Sequence, residues 1–295
     1  MLIPRLGTKK LISTEVCEQI IDFVAVRADS VDGWSAGKFW GNDVRATLQA
    51  CSLTCRAWRS RSQLHLMRDM SVRASIAGSR NFHDLRALLH TIPLLQGNVE
   101  ALAVEGRNLD VPRFHLVPTE IHTTLPTVQS LTLRGGLVYM PTVFFVYMRR
   151  FKHLARLFLH ETTFISMHDL RRMLESLHSL KILALERPGW MSNKLDHPPR
   201  TGPGPPQSHV RLEILQLEAE AKWITDTRSI EFLDWLSSSG TISEIHDLQL
   251  TGLMLIDANI MAAVSRMLDA AQKSSQLSAV DILFGPEVDL TPSKF

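Results

Sequence analysis

Seven short stretches of the chain repeat one spacing of apolar residues, the second three positions after the first and the third two positions after the second. They read Val99/Leu102/Val104, Val128/Leu131/Leu133, Leu154/Leu157/Leu159, Leu180/Leu183/Leu185, Leu212/Leu215/Leu217, Ile245/Leu248/Leu250 and Leu277/Val280/Ile282. The last two members of each triplet are spaced as the inward side chains of a strand, because successive side chains of an extended chain point to opposite faces. Measured at the middle residue, the copies recur every 26 to 33 residues, and a weaker eighth copy fits upstream at Met67/Met70/Val72. A repeat of that length is the signature of stacked units, none of which buries its apolar face alone; three or more give a continuous core. In a chain that is 45% hydrophobic one triplet says nothing, whereas seven in register constrain the fold.

Between the predicted strands lie helical patterns. Met167, Leu170, Met173, Leu174, Leu177 and Leu180 recur at three and four, as do Ile260, Val264, Met267, Leu268 and Ala271, and Val143, Phe144, Phe151 and Leu154 extend the rule to the preceding unit. Parallel neighbours need a crossover of about a dozen residues or more, which the repeat length allows. The uncharged stretch from Gly135 to Met148 contains Pro141 and falls short of the roughly 20 residues of a membrane span, so it is expected to be a buried helix. The Pro/Gly-rich segment 196–207 interrupts the series between the fourth and fifth triplets and is expected to be an exposed loop.

The triplet resembles the L-x-x-L-x-L strand of leucine-rich repeats. That resemblance implies an α/β solenoid, with parallel strands on the concave face and helices on the convex face. The Asn or Cys that many such repeats carry three residues after the last strand Leu is replaced here by Arg107, Gly136, Thr162, Pro188, Glu220 and Leu253, so the chain has no asparagine ladder.

Upstream, 14–25 carries Val16, Ile20, Ile21, Phe23 and Val24, with Ser13 or Thr14 able to cap its start. A second helical pattern, 48–58, carries Leu48, Cys51, Leu53, Cys55 and Trp58, and the connector between them holds Trp34, Phe39 and Trp40 among glycines. Ile12-Ser13-Thr14-Glu15-Val16 with Ile20-Ile21, followed by Leu48 through Thr54-Cys55-Arg56-Ala57-Trp58 and a strand entry at 66–69, resembles the F-box. Ser13 stands where the family has Pro and Thr54 where it has Val, and about 28–47 is an insertion. The expected organisation is therefore an F-box-like helical module at 1–65 and a leucine-rich-repeat domain at 66–295. The resemblance implies the substrate-recruiting subunit of a Skp-cullin-F-box ubiquitin ligase, in the cytoplasm or nucleus. Ile12, Ser13, Glu15, Val16, Ile20, Leu48, Leu53, Cys55, Arg56 and Trp58 would meet the Skp-family adaptor and, through it, a cullin. The rival expectation is a non-ligase interaction scaffold whose N-terminal helices only cap the repeats, as solenoid ends require.

No enzyme is expected. His160-Glu161-Thr162-Thr163-Phe164 begins like a zinc-protease helix but lacks the second His, and the chain has no G-x-S-x-G, P-loop or C-x-x-C. Cys51 and Cys55 lack the further ligands zinc requires, so no metal or cofactor is expected. Three cysteines cannot all pair, consistent with a reducing compartment. A formal net charge of +2 gives no reason to expect nucleic acid or a membrane surface as partner.

A protein target remains. Residues flanking each middle Leu alternate away from the core and should stack into three rows: Ala101/Ser130/Arg156/Ile182/Ile214/Asp247, Ala103/Thr132/Phe158/Ala184/Gln216/Gln249 and Glu105/Arg134/His160/Glu186/Glu218/Thr251. Phe158, Ile182 and Ile214 are expected to form an exposed apolar patch, with Arg134, Arg156, Glu186 and Glu218 setting specificity around it.

Overall fold

The computed structural model describes residues 13–26, 42–74, 87, 89–91, 96–106, 117–135, 137–138, 140–191, 210–219, 226–253, 258–273 and 276–284. The chain divides into two compact units, Met1–Met70 and Ser71–Phe295. Ile12, the Trp34/Phe39/Trp40 connector and the segment 196–207 lie outside the described residues.

The first unit holds α1 (Thr14–Val26), α2 (Asn42–Thr54) and α3 (Arg56–Arg68), in mutual contact. Ser13 caps α1, its hydroxyl accepting from the Val16 N–H at 3.3 Å. Cys17, Ile21, Ala25, Leu48 and Cys51 form the core. The single helix expected over 48–58 is broken: α2 ends at Thr54, and Cys55 supplies the carbonyl that opens α3, accepting from the Arg59 N–H at 3.1 Å. The Ser52 and Thr54 hydroxyls donate to the carbonyls of Gln49 and Ala50 at 2.7 and 3.0 Å, side-chain bonds that compete with continuation of the helix. Arg56, Ala57 and Trp58 thus begin a third helix. Residues 66–68, expected as a strand entry, are its last turn, and 42–47, expected within the insertion, are helical.

The second unit is mixed α/β. Its large sheet runs in the order β1 (Asp69–Ala74, at the junction of the two units), β2 (Ala101–Gly106), β3 (Ser130–Arg134), β5 (Arg156–His160), β7 (Ile182–Glu186), β9 (Ile214–Glu218), β10 (Asp247–Leu253) and β11 (Ala279–Phe284). From β2 onward every neighbouring pair is parallel and aligned on the predicted middle residue, so that Leu102, Leu131, Leu157, Leu183, Leu215, Leu248 and Val280 are successive partners. The described crossover helices are α4 (Val117–Thr124), α5 (Thr142–Met148), α6 (Met167–Glu175), α7 (Thr227–Ser238) and α8 (Ala258–Gln272). The first six triplets are buried throughout, as are Phe144, Leu170, Met173, Phe232, Ile260 and Met267 on the helices.

Three expectations fail here. The Gly135–Met148 stretch is not one helix: it contains the short strand β4 (Leu137–Val138), and α5 starts only after Pro141, which lacks an N–H and biases the residue before it to extended backbone. Val143, expected inside, is exposed, and Phe145 and Met148 are buried in its place. In the seventh triplet Val280 is 47% exposed, on β11, the edge strand of the sheet among the described residues.

A feature without a sequence forecast is a second parallel sheet of β4, β6 (Thr163–Phe164) and β8 (Gly189–Trp190). It follows from how the large strands end. Gly135, Glu161, Arg187 and Gly252, each one residue past a third-row position, adopt left-handed backbone with φ of 70°, 50°, 48° and 74°. The N–H groups of Gly135, Glu161 and Arg187 donate to the carbonyls of His160, Glu186 and Glu218 on the next strand at 2.8, 2.7 and 2.7 Å. This ladder satisfies the strand ends without asparagine. At Gly252 a Cβ would stand 2.2 Å from the Ala219 carbonyl oxygen, so only glycine fits.

Candidate functional site

The first candidate surface is on the helical unit. On α1, Cys17, Ile21 and Ala25 face the core, while Val16, Ile20 and Phe23, spaced four and three apart on another face, are 44%, 42% and 70% exposed. Leu53 on α2 is 80% exposed. Four large apolar side chains in water on so small a unit exceed the scattered exposure that needs no explanation. Of the other residues expected at the adaptor contact, Ser13, Glu15, Cys55 and Arg56 are exposed and Trp58 is half-buried. Leu48 is fully buried and is not a contact residue: it is the side chain that α2 contributes to the core beside Cys51. Phe23 was absent from the predicted set, although its spacing from Val16 and Ile20 is visible in the sequence. An apolar arc wider than one buried stripe was the available signal.

Polar contacts fix α1 against α3. Asp22 Oδ1 and Oδ2 accept from Arg61 Nε and Nη2 at 2.6 and 2.8 Å, and His65 Nε2 lies 2.7 Å from Oδ1. His65 is buried. The Arg61 guanidinium, with help from His65, holds the Asp22 carboxyl down to about 2, against 3.8 for an ordinary aspartate. Burial pushes the Cys51 thiol up, and its place in the core gives it no reactive role.

The second candidate surface is the face of the large sheet opposite the core leucines. The register makes Arg156, Ile182, Ile214 and Asp247 neighbours in one row, and Arg134, His160, Glu186 and Glu218 neighbours in another. Ile182 and Ile214 are half-buried on adjacent strands, as an accessible patch requires. Phe158 is not part of it. At 9% exposure it is buried, together with Ala103, Thr132 and Ser130, so the middle row is covered at the β2, β3 and β5 end while Arg134, Arg156 and His160 beside it stay half-buried. Alternation fixes which way a side chain points and leaves its cover undetermined. The β7, β9 and β10 rows remain accessible, with Gln216 donating to Gln249 at 3.1 Å across the middle.

At the turn edge of this face stand two residues that sequence reasoning missed, Glu161 and Arg187. Arg187 reaches Glu161, Glu218 and Glu186 at 3.1, 3.4 and 3.7 Å, and His160 Nδ1 lies 2.8 Å from Glu186. Hydrogen bonding to Glu218 raises the Arg187 pKa further. The Arg187 pairs with Glu161 and Glu218 are largely solvated, so they organise charge at the rim and add little stability, whereas Glu186 and His160 are mostly buried. Their alignment with Gly135 and Gly252 at one offset from the strands was the only sequence trace of this turn.

Among the described residues no group of three or more His, Cys, Asp or Glu could hold a metal ion. No described helix is long and apolar enough to cross a membrane. No protein-family model matches the sequence, and no curated protein matches it.

Proposed function

We propose that the chain is the substrate-recruiting subunit of a Skp-cullin-F-box ubiquitin ligase, its helical unit an F-box that docks the Skp-family adaptor and its sheet unit a leucine-rich-repeat solenoid that holds the target. The observation that carries this reading is the unpartnered stripe of Val16, Ile20 and Phe23 with the exposed Leu53, which leaves the helical unit with more apolar surface than its own core uses. Ser13, Glu15, Cys55, Arg56 and Trp58 complete the adaptor surface. The repeat spacing, the in-register parallel strands and the accessible Ile182/Ile214 patch support the solenoid half, with Arg134, Arg156, Glu186 and Glu218 around the anchors. Such a subunit performs no chemistry; it raises the effective concentration of the target beside the transferring subunits.

Co-purification with a Skp-family adaptor tests the reading. Wild type should retain the adaptor at micromolar concentration, and the double variant Val16→Asp/Phe23→Asp should lose it while its stability changes by less than about 1 kcal/mol, as expected for surface positions. A folded wild-type protein that ignores the adaptor would replace the ligase with the non-ligase scaffold, the helices then serving only as a cap.

A further inference from the structure

The accessible half of the strand face carries an excess of carboxylates, only partly offset by Arg187 at its turn edge, which pairs with Glu186 and Glu218. On β7, β9, β10 and β11 the outward rows carry Glu186, Glu218, Asp247 and Asp281 and no Lys or Arg, whereas the β2, β3 and β5 rows carry Arg134 and Arg156 against Glu105. The apolar part of the same half centres on the Ile182/Ile214 pair, partners across β7 and β9 with Asp247 next in their row, and the exposed Leu283 stands at the β11 edge. We propose that this half receives a basic segment of a partner protein, one aliphatic side chain resting on Ile182 and Ile214 and its Lys or Arg side chains meeting the carboxylates. The inference rests on the reading of this sheet as the target-holding surface and specifies what the target presents there.

Charge decides between ligand classes. Nucleic acid would bring phosphates to a face whose carboxylates outnumber the one Arg at its edge, and juxtaposed like charges disfavour it. A bare metal ion needs its ligands gathered at one point, and no such group occurs among the described residues. A basic peptide matches both features, since apolar centres with complementary charged flanks are how protein segments are held.

The test uses the full chain and a short fluorescein-labelled peptide alternating Leu with Lys, compared with Leu/Glu and Ser/Lys versions of equal length. The Leu/Lys peptide should bind best, and raising salt from about 50 to about 500 mM should weaken it at least about fivefold. The Glu186→Gln/Glu218→Gln/Asp247→Asn variant should weaken it by about tenfold. If that variant fails to fold, Gln249→Lys, which places a cation in the middle row, should weaken the same peptide. Equal binding of Leu/Glu or Ser/Lys, no binding of Leu/Lys, or indifference to these substitutions overturns the proposal. Adaptor co-purification is read in parallel: loss of the peptide effect with the adaptor retained refutes this inference alone, and the converse refutes the ligase reading alone.

Discussion

The two units of this protein settle the fate of their apolar side chains in different ways. In the sheet unit position within the repeat decides burial for the first six triplets: once Leu131 and Leu133 are known to face inward, so are Leu157 and Leu159, Leu183 and Leu185, and Leu215 and Leu217. In the helical unit nothing repeats, and Leu48 and Leu53, both on α2, stand at 0% and 80% exposure. Repetition lets neighbouring strands correct one another through shared register, whereas a single-copy helix places each side chain by its own contacts alone.

The largest test of that contrast pairs a buried residue with a more exposed one in each unit. Leu48→Ala and Phe158→Ala should each cost about 3 kcal/mol, the size of a buried large-to-small change, while Ile214→Ala should cost about 1 kcal/mol and Leu53→Ala close to nothing. Chemical denaturation of the four variants measures this. Equal losses at Phe158 and Ile214 would mean that the two ends of the strand face are covered alike.

A smaller effect is expected where repetition meets geometry. Gly252→Ala should destabilise the sheet unit by about 2 kcal/mol, because its φ of 74° and the Ala219 carbonyl both oppose a Cβ. Thermal melts of Gly252→Ala beside Glu161→Gly should move in opposite directions, since relieving left-handed strain at Glu161 removes only a solvated ion pair. A neutral Gly252→Ala would show that the turn ladder is free to rearrange.

The smallest effect belongs to the helical unit, which relies on a long-range polar contact where the sheet relies on register. Asp22 is depressed in the folded state to about 2 from 3.8, so its contribution is complete above about pH 4 and disappears as pH falls toward 2. The carboxylate is about one-third exposed, and screening reduces the contribution to about 1 kcal/mol. Asp22→Asn should therefore trail wild type by about that much at pH 7 and converge with it near pH 2. A constant gap across the range would place the effect in packing.

These contrasts also explain what could be read from sequence. Strand positions, their partners, the parallel order and six of seven buried triplets follow from a spacing that many copies repeat. The break at Cys55 depends on single hydrogen bonds and leaves no periodic trace, and the left-handed turns at Glu161 and Arg187 and the strands β4, β6 and β8 recur at one offset from the large strands in residue types that do not mark them. For the candidate sites, orientation was legible and accessibility was not. Ile182 and Ile214 stand on the predicted face, Phe158 shares that face beneath cover, and Phe23 was visible only as excess apolar arc.

The strict alignment of Arg156, Ile182, Ile214 and Asp247 also turns the sheet into a ruler. Neighbouring strands are about 4.8 Å apart, an α-helix advances about 1.5 Å per residue and an extended chain about 3.3 Å. A helix laid across the strands therefore presents a new side chain to each strand about every three residues, in step with its own turn. An extended segment instead falls into phase only every third residue, over two strands. The spacing of the residues that matter in any bound segment, read by scanning substitutions along it, will reveal which shape it takes before a complex is seen.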